Sequence, residues 1–161
     1  MYYRIYDSWL IIRNYFVPLR CNSIHLLIII KIILITYLQM EIGKKYTSIL
    51  VVEEKHLACN VGSGDLKVFA TPMMMALMEN AAMMCVADEL DGNSSTVGGH
   101  ISSSHIKPTG LGRTVKATAE LVDVQGRKLT FKVSASDDEG VIGEGEHLRF
   151  IVDKERFMSK I

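Results

Sequence analysis

The sequence has few cysteines and no surplus of charge of either sign: three Cys, and 18 Lys and Arg against 18 Asp and Glu in 161 residues. Both shortages exclude something. Cys21, Cys59 and Cys85 form no CxxC pair, which removes the usual zinc and disulfide frameworks and leaves thiols suited to a reducing cytoplasm. The missing basic excess argues against a nucleic-acid binder that works through a cationic face.

The first 39 residues lack more. They contain no Gly, no Ala and no Glu, yet hold ten of the 17 isoleucines and seven of the 12 aromatic residues. Arg4, Arg13, Arg20 and Lys31 outnumber Asp7 there, a net +3, so residues 40–161 carry a net −3. Ser23–Gln39 is apolar but broken by Lys31 and short of the ~20 residues that span a bilayer. No small-residue cleavage site follows it, as a signal peptide would require. Three readings stand: a leader outside the native domain, which would then start at Met40; a membrane anchor or uncleaved signal; or an ordinary strand or helix. The first is the expectation, because A/T-rich upstream DNA translated in frame has this composition. Residues 40–161 are then one cytoplasmic domain, with no membrane association expected.

From Met40 the pattern is that of an α+β domain. Tyr46–Val52 is rich in β-formers, and Asn60–Asp65 holds turn residues. Thr71 is suited to cap a helix with Pro72 at its first position, and Met73–Leu90 runs on without Gly or Pro. This helix is apolar almost all round, which predicts burial. Period-two strands follow at 96–106, 113–124, 128–135 and 141–152, read as a four-stranded antiparallel meander. A long apolar helix wrapped by an antiparallel sheet is the hotdog architecture, whose exposed edges call for a homodimer, with a dimer of dimers as the alternative.

The polar candidates are few. Glu79 is the only acid between Thr71 and Asp88, and a lone buried carboxylate needs a partner or a task. Thr71 and Glu79 lie about 12 Å apart along a helix, leaving room for a small substrate between them. The helix start offers N–H groups and partial positive charge to a developing oxyanion. His105 ends the strand after the helix, with His100 on the opposite face. His147 and Arg149 share a face of the last strand, and Gly98-Gly99 reads as a bulge or a point of close backbone approach. Each also has an ordinary structural reading: packed core, satisfied histidine, solvated strand residue.

An ordered set of short stretches adds to this. Val68–Pro72, Ala76–Glu79, Thr96–Gly98, His105–Thr109, Gly126–Leu129 and Ile142–His147, followed by Arg149 and Glu155–Phe157, resemble the fluoroacetyl-CoA thioesterase-like branch of the hotdog thioesterases. The resemblance implies an enzyme that hydrolyses acyl-CoA, with Thr71, Glu79 and His105 on the family's catalytic positions. It also implies that Gly98 and Arg149 line the acyl pocket, the arginine across a dimer, with Gly99 beside Gly98. Glu79 would be base or nucleophile, His105 a proton shuttle, and Thr71 would orient the carboxylate or water. No metal or cofactor is implied, since CoA is part of the substrate. Residues 53–70 lack the family enzyme's phenylalanine-bearing lid, their only Phe, Tyr or Trp being Phe69. This points to a short or general acyl group. The competing function is a non-catalytic acyl-CoA-binding hotdog dimer. Because the domain is acidic, a local basic patch for CoA is expected, with Lys107 and Arg149 as candidates.

Overall fold

The computed structural model describes residues 40–161 and, before them, the backbone of three short strands, β1 (Arg4–Tyr6), β2 (Trp9–Ile12) and β3 (Tyr15–Pro18). These pair antiparallel in the order β1-β2-β3. The chain divides into two compact units, Met1–Gln39 and Met40–Ile161. The possible anchor at Ser23–Gln39 lies outside the described residues. Among the described residues, no helix is long and apolar enough to cross a membrane.

The second unit runs β4 (Lys45–Val51), α1 (Ala58–Val61), α2 (Thr71–Val86), β5 (Ser94–His105), β6 (Thr114–Gln125), β7 (Lys128–Asp137), β8 (Gly140–Asp153) and α3 (Lys154–Met158). Its five strands form one antiparallel sheet in the order β4-β6-β7-β8-β5, with α2 packed on one face, as the α+β hotdog expectation required. The meander is corrected in one respect. Only β6, β7 and β8 follow one another through tight turns, at Gly126 (φ 60°) and Gly140 (φ 125°). β5 crosses over to pair with β8 and forms an edge, because the 106–113 connection is long enough to carry the chain across.

Burial alternates along β6 and β7 as period two demands. Val115, Ala117, Ala119 and Leu121 face α2, as do Leu129, Phe131, Val133 and Ala135. The alanines Ala117 and Ala119 of β6 share the buried core with Ala81 and Ala82 of the helix, small residues that suit a close approach of helix and sheet. Met74 and Met78 are fully buried, and each such side chain contributes roughly 1.5–3 kcal/mol relative to exposure.

Helix α2 departs from expectation in three ways. It begins one residue early, with Ala70 as N-cap, so Thr71 is its first residue and makes no capping bond. It stops as α-helix at Val86 and continues as a 3-10 turn over Ala87–Glu89. It is not buried all round either: Pro72, Ala76, Asn80 and Met84 form an exposed stripe.

The bulge expected at Gly98-Gly99 is present, as a register shift between Gly98 and His100. Its effect is large. Gly98 pairs with Arg149 and His105 with Gly143, both on the helix-facing side of β8. An unbroken strand would put residues 98 and 105 on opposite faces. The extra residue turns His105 to the side that carries Gly98.

Candidate active site

The candidate residues fall into two groups, one at each end of the stretch of α2 from Thr71 to Glu79. At the helix start, Thr71 Oγ1 lies 2.9 Å from His105 Nδ1. Released from capping, this hydroxyl is bonded to the imidazole, where the sequence reading had placed it on a carboxylate or water. Phe69 sits edge-on to the His105 ring, with centroids 6.4 Å apart, and its backbone N–H donates to the Thr109 carbonyl. These contacts tie the segment before α2 to the segment after β5.

The other ring nitrogen of His105, Nε2, is buried and has no hydrogen-bond partner. Leaving a buried polar atom unpaired costs about 1–3 kcal/mol. Burial pushes its pKa below the ordinary histidine value, opposed by the Lys107 backbone, so the ring is neutral near pH 7. The pair opens on a cleft of ≈ 360 Å³ whose apolar walls include Ala58, Leu66, Val68 and Pro108. A wider groove of ≈ 660 Å³, lined by Ser102, Lys132, Glu144 and Glu146 among others, contains none of the candidate residues.

The second group surrounds Glu79. Its side chain is 42% exposed, with Oε1 3.7 Å from His147 Nε2. A Cβ on Gly98 would stand 2.8 Å from that oxygen, so only glycine lets the carboxylate rest on the β5 backbone. Gly99, grouped with Gly98 in the sequence reading, packs against the Phe150 ring instead.

Arg149 is 6% exposed and held by four hydrogen bonds. Nε donates to Thr96 Oγ1 (2.9 Å), Nη2 to the Thr96 carbonyl (2.8 Å), and Nη1 to His147 Nε2 (3.1 Å) and the Glu79 carbonyl (3.4 Å). Burial lowers its pKa and the charge of Glu79 opposes that shift. Thr96 and His147 are therefore parts of this group that sequence reasoning did not assign. The available signal was the period-two run Gly143, Gly145, His147, Arg149, which puts two polar side chains on the core face of a strand.

The structure does not bring the two groups together within one chain, since Thr71 and Glu79 stay about 12 Å apart along α2. It also corrects the expected basic patch. Lys107 Nζ is bonded to Glu139 (2.7 Å) and lies 3.9 Å from Asp137, while Arg149 is buried on Thr96. Neither is a free surface cation for a phosphate.

Comparison with known proteins places the domain. Residues 52–155 match the family described as FlK, fluoroacetyl-CoA-specific thioesterase. The fluoroacetyl-CoA thioesterase of Streptantibioticus cattleyicolor is 40% identical over 95 residues, 59% of this chain and 68% of that protein. A solved structure of the fluoroacetyl-CoA thioesterase FlK superposes with a TM-score of 0.72 at 34% identity, covering 76% of this chain and 95% of that one. A thioesterase superfamily member from Thermus thermophilus, 21% identical over 76% of this chain and 90% of its own, shares the fold with a TM-score of 0.71.

Proposed function

The chain belongs to the fluoroacetyl-CoA-specific thioesterase family, enzymes that hydrolyse thioesters, and from that premise we propose that it hydrolyses a short or general acyl-CoA through Thr71, Glu79 and His105 of a homodimer. The observation that carries this reading is the Thr71–His105 contact, which leaves Nε2 buried, unpartnered and beside a cleft.

In this scheme the thioester carbonyl lies near the start of α2, where the helix dipole favours a developing oxyanion. Glu79 acts on the carbonyl carbon, as nucleophile or as the base that takes a proton from water. The C–S bond breaks and His105 Nε2 passes to the departing sulfur the proton that water gives up, so that the ring starts and ends neutral; where Glu79 is the nucleophile, that water hydrolyses the Glu79–acyl anhydride. Thr71 holds the ring by Nδ1. One water is consumed, and one carboxylic acid and one thiol form. No step requires a metal, and CoA enters as part of the substrate. The segment over Glu53–Ala70 supports a general acyl group. It folds as a turn, α1 and a glycine-bearing loop, and its one large aromatic, Phe69, is buried beneath His105.

The homodimer is supported by the edge position of β5 and the exposed stripe of α2. With Gly99 bulged out of the ladder, Gly98 and His105 lie on one face, three ladder steps to either side of Ser102. Two β5 strands paired antiparallel about a two-fold axis at Ser102 would set Gly98 of one copy against His105 of the other. Glu79 of one copy would then meet the Thr71–His105 pair of the other, closing the gap left within one chain.

Release of free thiol across a panel of acyl-CoAs tests the reading. Glu79→Gln and His105→Ala are expected to lower turnover by at least about a hundredfold, the scale of general acid–base catalysis, while both proteins stay folded. Wild-type rates in both variants would sink it. Tight CoA binding with no turnover of any member would assign the non-catalytic acyl-CoA-binding dimer instead.

A further inference from the structure

His147 is fully buried, and the scheme above does not use it. Both of its ring nitrogens have fixed roles. Nδ1 lies 2.7 Å from the His100 carbonyl, which can only accept, so Nδ1 carries the proton. Nε2 lies 3.1 Å from Arg149 Nη1, which can only donate, so Nε2 accepts. A second proton on this ring would point N–H at a guanidinium. The ring is therefore a neutral acceptor and, unlike His105, has no free nitrogen with which to exchange protons.

Its neighbours make that role consequential. Arg149 faces it from β8, Glu79 from α2 with Oε1 at 3.7 Å, and β5 contributes the His100 carbonyl. On β7 its register partner is Phe131, which carries no charge. A Cβ on Gly98 would stand 3.3 Å from His147 Cε1 and 2.8 Å from Glu79 Oε1, so imidazole, carboxylate and strand backbone are mutually packed.

We propose that His147 is a positioning residue: by accepting from Arg149 and filling the space behind Gly98, it fixes the guanidinium and, with it, the place of the Glu79 carboxylate. This deepens the thioesterase reading and rests on it for the catalytic consequence, though not for the clamp itself. Glu79 does the chemistry, and His147 acts only through where Glu79 and Arg149 are held.

The test compares His147→Leu with His147→Gln in the full chain, since a glutamine amide can still accept from Arg149 and donate to the His100 carbonyl. Misplacing a reacting group by about 1 Å costs about a hundredfold. For His147→Leu, kcat is therefore expected to fall by tens of fold at nearly unchanged KM, whereas His147→Gln is expected to keep most of kcat. An activity-independent readout accompanies this: the Arg149 Nη1–H protons that face His147, followed by 15N NMR, should exchange slowly in wild type and His147→Gln and quickly in His147→Leu. Unchanged kcat in His147→Leu, a Gln variant as impaired as the Leu variant, or a loss confined to KM would each overturn the positioning role. A wild-type protein that turns over no acyl-CoA would defeat the hydrolase reading alone. The Arg149 exchange rate would then decide the clamp, and slow exchange in His147→Leu would overturn it.

Discussion

The two ends of the Thr71–Glu79 stretch differ in how completely their polar atoms are satisfied. At the Glu79 end all three guanidinium nitrogens of Arg149 donate hydrogen bonds, and both His147 nitrogens are used. At the Thr71 end one imidazole nitrogen is bonded and the other has no partner. A satisfied network is rigid, and removing one member strands the rest. An unsatisfied buried nitrogen is a cost in the resting protein that an incoming substrate can relieve. In the proposed mechanism one end holds a group still and the other gives and takes a proton. The chain keeps them apart because each is anchored to a different stretch of β5, on either side of its bulge.

Inserting one glycine between Ile101 and Ser102 would break that comparison most severely. With the bulge at Gly99 kept, the added residue shifts period two by one and turns His105 away from α2, and thiol release should fall by at least about a hundredfold while the sheet survives. An insertion variant with near-normal turnover would show that the count of residues after the bulge does not orient His105.

Single substitutions in the bulge should separate its two glycines. Gly98→Ala puts a methyl 2.8 Å from Glu79 Oε1, the end of a flexible side chain. The carboxylate moves, the fold remains, and kcat should drop about ten- to hundredfold. Gly99→Ala meets only the Phe150 ring, which is 39% exposed and can turn away. Its kcat should stay near wild type. Equal losses in the two variants would contradict the assignment of faces.

The smallest expected effect is on pH dependence. Burial pushes the pKa of both His105 and His147 down, opposed at His105 by the Lys107 backbone and at His147 by the His100 carbonyl. The unfolded chain takes protons on these rings near pH ~6.5 and the folded chain only at lower pH. Their contribution to stability is therefore complete above about 6.5 and is lost as pH falls through the folded values. Thermal melts between about pH 5 and 7 should decline less steeply for His147→Gln than for wild type. Equal slopes would remove His147 from this account.

Much of this was legible in the chain. The long run without Gly or Pro marked α2, the alternation at 113–152 marked three strands, and the ordered short motifs marked the family. What escaped was long-range. That β5 lies beside β8 and not β6 depends on where a connection crosses, which local periodicity does not encode. Thr71 looked like a cap because Ser and Thr before a Pro usually are, but Ala70 takes that position and the hydroxyl turns to a histidine 34 residues away. Lys107 and Arg149 looked like free cations because charge counts do not show pairing. Their partners, Glu139 and Thr96, are distant in sequence. Gly98 and Gly99 were read together, and only the bulge shows that they face different neighbours.

The central claim is that two chains together complete one thioesterase site, and subunit complementation tests it most directly. Glu79→Gln and His105→Ala are each expected to be silent alone. Co-folded in equal amounts, they should form mixed dimers in which one of two sites keeps both groups, restoring about a quarter of wild-type thiol release. A mixture as silent as its components would contradict the claim.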